Sequence, residues 1–148
     1  MGKIVSASSQ KAAAESMASA LSSMDGVSAE VSERTSGTNP RNVVSVDCAS
    51  DNWRQLAECL RVEHGVDYCS MITGIHWPDG GAEKNWEVVY HFMRMGISNP
   101  PVVDGMVQPI ITDPTTLEGA DVPLEIEVRI ALPETTDPKV ASVQDIWV

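Results

Sequence analysis

Six side chains in this sequence carry the chemistry of nucleophiles or metal ligands: Cys48, Cys59, Cys69, His64, His76 and His91. A thiol beside an imidazole makes a cysteine–histidine nucleophile, in which the ring takes the thiol proton. Thiols and imidazoles clustered at short spacing make a zinc site. The zinc pattern is missing from the sequence: there is no CxxC, no HxxxH, and no Cys–His pair closer than His64 and Cys69. The nucleophile reading leaves Cys69 or Cys48 with His76 or His91, and a small hydrolase or transferase as its consequence. The plainer reading is that the cysteines are small buried or half-buried hydrophobes and the histidines hydrogen-bond along their strands.

Other catalytic patterns fail in turn. No serine sits on a GxSxG elbow. Gly80-Gly81 lies between two strand-like runs rather than at a strand-to-helix junction, so it offers no helix N-terminus to a phosphate. Glu125 and Glu127 alternate along one strand, which reads as a solvated face rather than an acid–base pair. The residues alone therefore assign no catalytic, cofactor-binding or metal-binding side chain.

These side chains must be positioned by the elements around them. The central stretch is Trp86–Met95, WEVVYHFMRM, with apolar side chains on both faces, the mark of a strand covered on both sides. It pairs with Val66–Trp77, VDYCSMITGIHW, through the turn signal at Pro78–Gly81. Upstream, Gln10–Met24 has Ala13, Met17, Ala20, Leu21 and Met24 at helical spacing, with Ser9 at its start and Gly26 past its end. Val27–Thr35 alternates as a half-buried strand. Ser36–Pro40 is a turn, and Asn42–Cys48 resumes as a strand with Val44, Val46 and Cys48 on one face. Ser50 or Asp51 caps a second helix reaching about His64. Trp53, Leu56, Ala57 and Leu60 form its buried stripe, and Gly65 closes it.

Residues 96–122 hold four prolines and no sustained period, and read as a long irregular excursion with a short strand at Val107–Ile111. Leu124–Leu132 alternates cleanly, apolar on one face and charged on the other. The tail, 134–148, has no period but carries the apolar anchors Val140, Val143, Ile146 and Trp147. The expected fold is one α+β domain over 1–148, in the order α-β-β-α-β-β-long loop-β-tail. Two helices pack on one face of a mixed, mainly antiparallel sheet.

Bulk composition narrows the function. The chain has 148 residues, 43% of them apolar, and its 21 acids against 10 bases give a net charge of −11. That balance disfavours nucleic acid and anionic membrane surfaces, both of which need Lys and Arg. No apolar run approaches the ~20 residues of a membrane helix. No signal-peptide pattern opens the chain. Three widely spaced cysteines are not a disulfide framework and point to a reducing cytoplasm.

Several of these segments resemble a known family. VDYCSMITGIHW followed by WEVVYHF, then LEIEVRIALP, then DPKVASVQDIW are similar to the 30-kDa subunit of complex I-type NADH:quinone oxidoreductases. The resemblance spans roughly residues 51–148. It is carried by Asp67, Ile72, Thr73 and Trp77, by Glu87–His91, by Arg129 and Pro133, and most specifically by Asp137–Trp147. The family's helix rich in Glu-Arg-Glu, which follows the Ile-Trp pair, has no counterpart before Val148. Shortened relatives occur in archaeal deazaflavin-dependent dehydrogenases and in membrane-bound hydrogenases.

The resemblance implies a subunit of the peripheral arm with no redox centre or cofactor and no activity alone. Its partners would be the large quinone-site subunit and the iron–sulfur subunits, with no nucleic acid and no direct membrane insertion. Its place would be cytoplasmic, bound at the membrane through the complex. Trp77, Val143, Ile146 and Trp147 are the candidate partner contacts. A stand-alone binding module, using the proline-rich excursion as its contact surface, is the alternative.

Overall fold

The structure is a computed structural model, and it describes residues 7–36, 39–95, 102–107, 119 and 122–147. Helix α1 spans Ala7–Ser22 and helix α2 spans Trp53–Val62. The strands are β1 Val27–Ser36, β2 Asn39–Cys48, β3 Tyr68–His76, β4 Trp86–Arg94, β5 Val102–Val103, β6 Met106–Val107 and β7 Leu124–Leu132. Five of them form one sheet in the order β1-β2-β7-β4-β3. The two hairpins and the β4–β7 pair are antiparallel, and β7 runs parallel to β2. The α+β expectation therefore holds, and the long excursion between β4 and β7 is what carries the chain back to fill the gap between the hairpins.

Period-two alternation decides the layers. Leu124, Ile126, Val128, Ile130 and Leu132 point to the helices and are all buried. Tyr90 and Phe92 on β4, and Val44, Val46 and Cys48 on β2, share that face and the same core. α1 packs across β1 and β2. It buries Ala13, Ala14, Met17, Ala18 and Leu21. The expected Ala20 is exposed, because the helix presents its Ala14–Ala18 ridge to the sheet instead. α2 lies over β4 through Trp53, whose ring is 4.5 Å from Tyr90 and 6.1 Å from Phe92.

The ends of the elements refine the sequence reading. A 3-10 turn, Ser50–Asn52, leads into α2, and no side chain caps that helix, so the expected Ser50 or Asp51 cap is absent. Gly26 has φ +73°, and a Cβ there would meet Asn52 Oδ1 at 2.3 Å, so this turn requires glycine. In the excursion, Val102–Val103 and Met106–Val107 pair across Asp104 and Gly105, both at positive φ (52° and 76°). This is the Asp-Gly hairpin turn that matches strand twist. The expected strand at Val107–Ile111 thus begins at Met106, and residues 108–111 lie outside the described residues.

Candidate functional site

Neither candidate nucleophile is assembled. Cys69 sits opposite Phe92 and packs against the helix-side core. His91 pairs with Met71 and Glu127, one residue out of phase, and so projects from the opposite face. His76 stacks on Trp86 at 4.0 Å, at the far end of β3 from Cys69. Seven residues of strand put these two roughly 23 Å apart. Cys48 is on β2, three strands from β3 in the sheet, about 14 Å across.

Burial pushes the thiols of Cys48 and Cys59 up to about 11, Glu63 adding to the effect at Cys59. Burial also raises Cys69, with a backbone hydrogen bond opposing. At neutral pH a thiol raised that far has roughly 100-fold less thiolate than an ordinary one. Timed iodoacetamide labelling of the native chain should show three slow cysteines, and one that reacts at the rate of a free thiol would contradict this.

The charged face of β7 is not the solvated surface its alternation implies. Glu127 is 3% exposed. Arg34 Nη1 on β1 donates to Glu127 Oε2 at 2.7 Å. Arg129 donates to Oε1 through Nε at 2.8 Å and also through Nη2. His91 Nδ1 stands 3.9 Å from Oε2, and Arg41 pairs with Glu125 at 3.2 Å. Burial pushes the Glu127 carboxyl up, but the hydrogen bonds and charges of Arg34 and Arg129 outweigh it and hold it at about 2. The cover is made of long arginine side chains, which are themselves a third or more exposed. Glu127 is therefore hidden from water without lying deep in the protein.

Further along the same face, Lys84 pairs with the buried Glu87 at 3.0 Å. These two, with Asp47 and Arg129, line an open groove of about 550 Å³. The sheet thus has one face under helices and one face tiled with ion pairs.

The tail lies on the helix side. Arg54 forks onto Asp145 with bonds of 2.9 and 2.6 Å and also reaches the Ser142 carbonyl at 3.0 Å. Trp147 Nε1 donates to the Val66 carbonyl at 2.9 Å, and its ring stacks on Phe92 at 4.5 Å. Val143 is buried, and Ile146 is half-buried against the core. Of the four candidate contacts, then, the structure brings Val143, Ile146 and Trp147 together against the chain's own core. Trp77 stands apart and exposed, with Lys84 Nζ 5.4 Å above its ring.

Sequence reasoning missed the apolar side chains along β3. This strand is an edge of the sheet, and Tyr68, Met71 and Ile72 are all more than half exposed. Large apolar side chains on an unpaired edge mark a contact surface. The signal was in the sequence, since apolar residues on both faces of a run mean cover on both sides. Tyr68 and Met71 lie on the face away from the helices, and Ile72, on the helix face, is left exposed by the described residues.

The sequence profile of a family described as "Respiratory-chain NADH dehydrogenase, 30 Kd subunit" matches residues 46–148. That is more than two thirds of the chain, and it takes in α2, both strands of the central hairpin, β7 and the tail. The chain belongs to this family. Among solved structures it is similar to a trypsin-resistant fragment (1–134) of Nqo5, at 16% identity over 80% of this chain and 71% of that one, with a TM-score of 0.46. No curated protein matches the chain. No helix among the described residues is long and apolar enough to cross a membrane.

Proposed function

We propose that the chain is a non-redox structural subunit of the peripheral arm of a complex I-like oxidoreductase or a related membrane-bound hydrogenase. In this reading it packs beside the quinone-site and iron–sulfur subunits on the cytoplasmic side. The family match over residues 46–148 carries the proposal. Two features of the fold support it. The candidate pairs of Cys48 or Cys69 with His76 or His91 are held apart along or across the sheet, or lie on its opposite faces. The edge strand β3 and Trp77 present apolar side chains left exposed among the described residues.

The contact surface in this reading wraps the edge of β3, with Met71 on one face of the strand, Ile72 on the other and Trp77 past its end. The outward sides of Ile146 and Trp147 flank the tail end of the molecule and supply a further contact. Substitutions at exposed positions usually change stability by about 0.5 kcal/mol or less. Trp77→Ala and Ile72→Thr, which keeps the β-branch, should therefore leave the unfolding midpoint nearly unchanged. The same variants should reduce co-purification of iron–sulfur subunits with the tagged chain from native cells. Migration of the unsubstituted chain alone, with those subunits present in the extract, would refute the reading.

A further inference from the structure

The C-terminal end of α2 gathers side chains that neither the family assignment nor the proposed function uses. Cys59 Sγ, a Glu63 carboxylate oxygen and a ring nitrogen of His64 all lie within 4.8 Å of one another. The backbone sets this up. The N–H groups of Glu63 and His64 both donate to the Cys59 carbonyl, at 2.9 and 3.3 Å, and the Val66 N–H donates to the Leu60 carbonyl at 3.0 Å. Gly65, at φ +63°, lets the chain wrap back over the last helical turn. Residues four and five positions beyond Cys59 are thereby folded over it.

We propose that Cys59, Glu63 and His64 bind one thiophilic divalent cation of the zinc class, through thiolate, carboxylate and imidazole, with the fourth position open to solvent. Sulfur, nitrogen and oxygen donors in one set of three are the ligand types such cations take when one position is kept for water or another ligand. The Cys59 thiol already donates to Glu63 Oε2 at 3.4 Å. A cation would replace that proton between the same two atoms, which releases it to solvent.

Two further observations favour a cation here, and the nearby positive charge is partly engaged elsewhere. The carbonyl end of a helix carries partial negative charge. Glu63 and His64 line a cavity of about 210 Å³ between α1 and the end of α2, so the open position has room. Among the described residues, Arg61 lies in the last turn of α2, and Arg94, which lines the same cavity, is engaged by backbone carbonyls. Its Nε donates to Val122 at 3.0 Å, its Nη2 to Gly119 at 2.8 Å and its Nη1 to His64 at 3.5 Å.

Cobalt reports the ligands directly, because a thiolate on Co²⁺ gives a charge-transfer band in the near ultraviolet. Titrating the full chain with Co²⁺ should produce that band with an endpoint of one equivalent, and Zn²⁺ should erase it. Cys59→Ser should abolish the band, and Cys69→Ser should leave it intact. Losing even an outer partner of a metal ligand weakens affinity roughly 10–100-fold, so Glu63→Gln and His64→Gln should weaken Co²⁺ binding at least that much while keeping the band. Glu63 is exposed, so Glu63→Gln remains a valid reading even if Cys59→Ser does not fold. Absence of the band at stoichiometric metal, its survival in Cys59→Ser, its loss in Cys69→Ser, or unchanged affinity in Glu63→Gln and His64→Gln would each overturn the site.

Discussion

Glu127→Ala should lower the unfolding free energy by about 2–3 kcal/mol at pH 7, a cost set by what it leaves behind. Breaking a buried ion pair from one side typically costs about 3–5 kcal/mol, because the remaining charge is stranded. Here the stranded groups are Arg34 and Arg129, whose side chains are 33% and 43% exposed and can turn partly toward water. That lowers the expected figure.

The same carboxylate makes stability depend on pH in one direction. Glu127 is held at about 2, below its ordinary 4.5. A group depressed on folding contributes stability that is fully present above its unfolded value and is lost as pH falls through its folded value. The chain should therefore lose on the order of 3 kcal/mol between about pH 5 and pH 2 from this group. Glu127→Ala should lose correspondingly less over that range. Urea unfolding of both proteins at pH 7 and pH 3 checks this. The gap between them must narrow on acidification, and a gap independent of pH would mean that packing, not the ion pairs, accounts for the loss.

This residue also shows where reading the sequence stops. The alternation of Leu124–Leu132 specifies a strand and its two faces, because side chains on a pleated backbone point to opposite sides. It does not specify what covers the charged face. Glu127 reads as solvated, yet Arg34 lies 93 residues away in sequence, and only the insertion of β7 between β2 and β4 brings the two together. That placement is a property of topology, and no local pattern encodes it.

The Cys59, Glu63 and His64 cluster was hidden for a different reason. Its spacing of four and five is visible in the sequence, but it becomes a cluster only because the helix ends at Val62 and Gly65 turns the chain back. The Asp104-Gly105 hairpin needed neither topology nor packing. Two valines, Asp-Gly, then Met-Val is a hairpin signal in its own right.

The tail was legible in kind but not in place. Val143, Ile146 and Trp147 are anchors because a run of such residues does not stay in water, and either a partner or the chain's own sheet can receive it. The structure supplies the receiver, Phe92, which touches both Trp53 and Trp147. This arrangement yields the largest expected effect in the molecule. Trp53 is fully buried, and Trp53→Ala should cost about 3–5 kcal/mol, the range for removing a buried aromatic side chain.

Trp147→Ala should act locally. It removes the stack on Phe92 and the hydrogen bond to Val66, and should free the amides of residues 142–147 to exchange while β4 and β7 stay protected. Because both tryptophans lean on Phe92, their effects should not add. A double-mutant cycle should return a coupling of at least about 0.5 kcal/mol, the lower end for residues sharing a contact. Strict additivity, or loss of protection across the whole sheet in Trp147→Ala, would show that the tail is not a separate layer laid on this core. The outcome bears on how assembly is tested. If Trp147 is part of the fold, a Trp147→Ala chain that fails to enter a complex reports a loosened tail as readily as a lost contact. Trp77 lies outside the core with Lys84 over its ring, so Trp77→Ala tests the contact without loosening the tail.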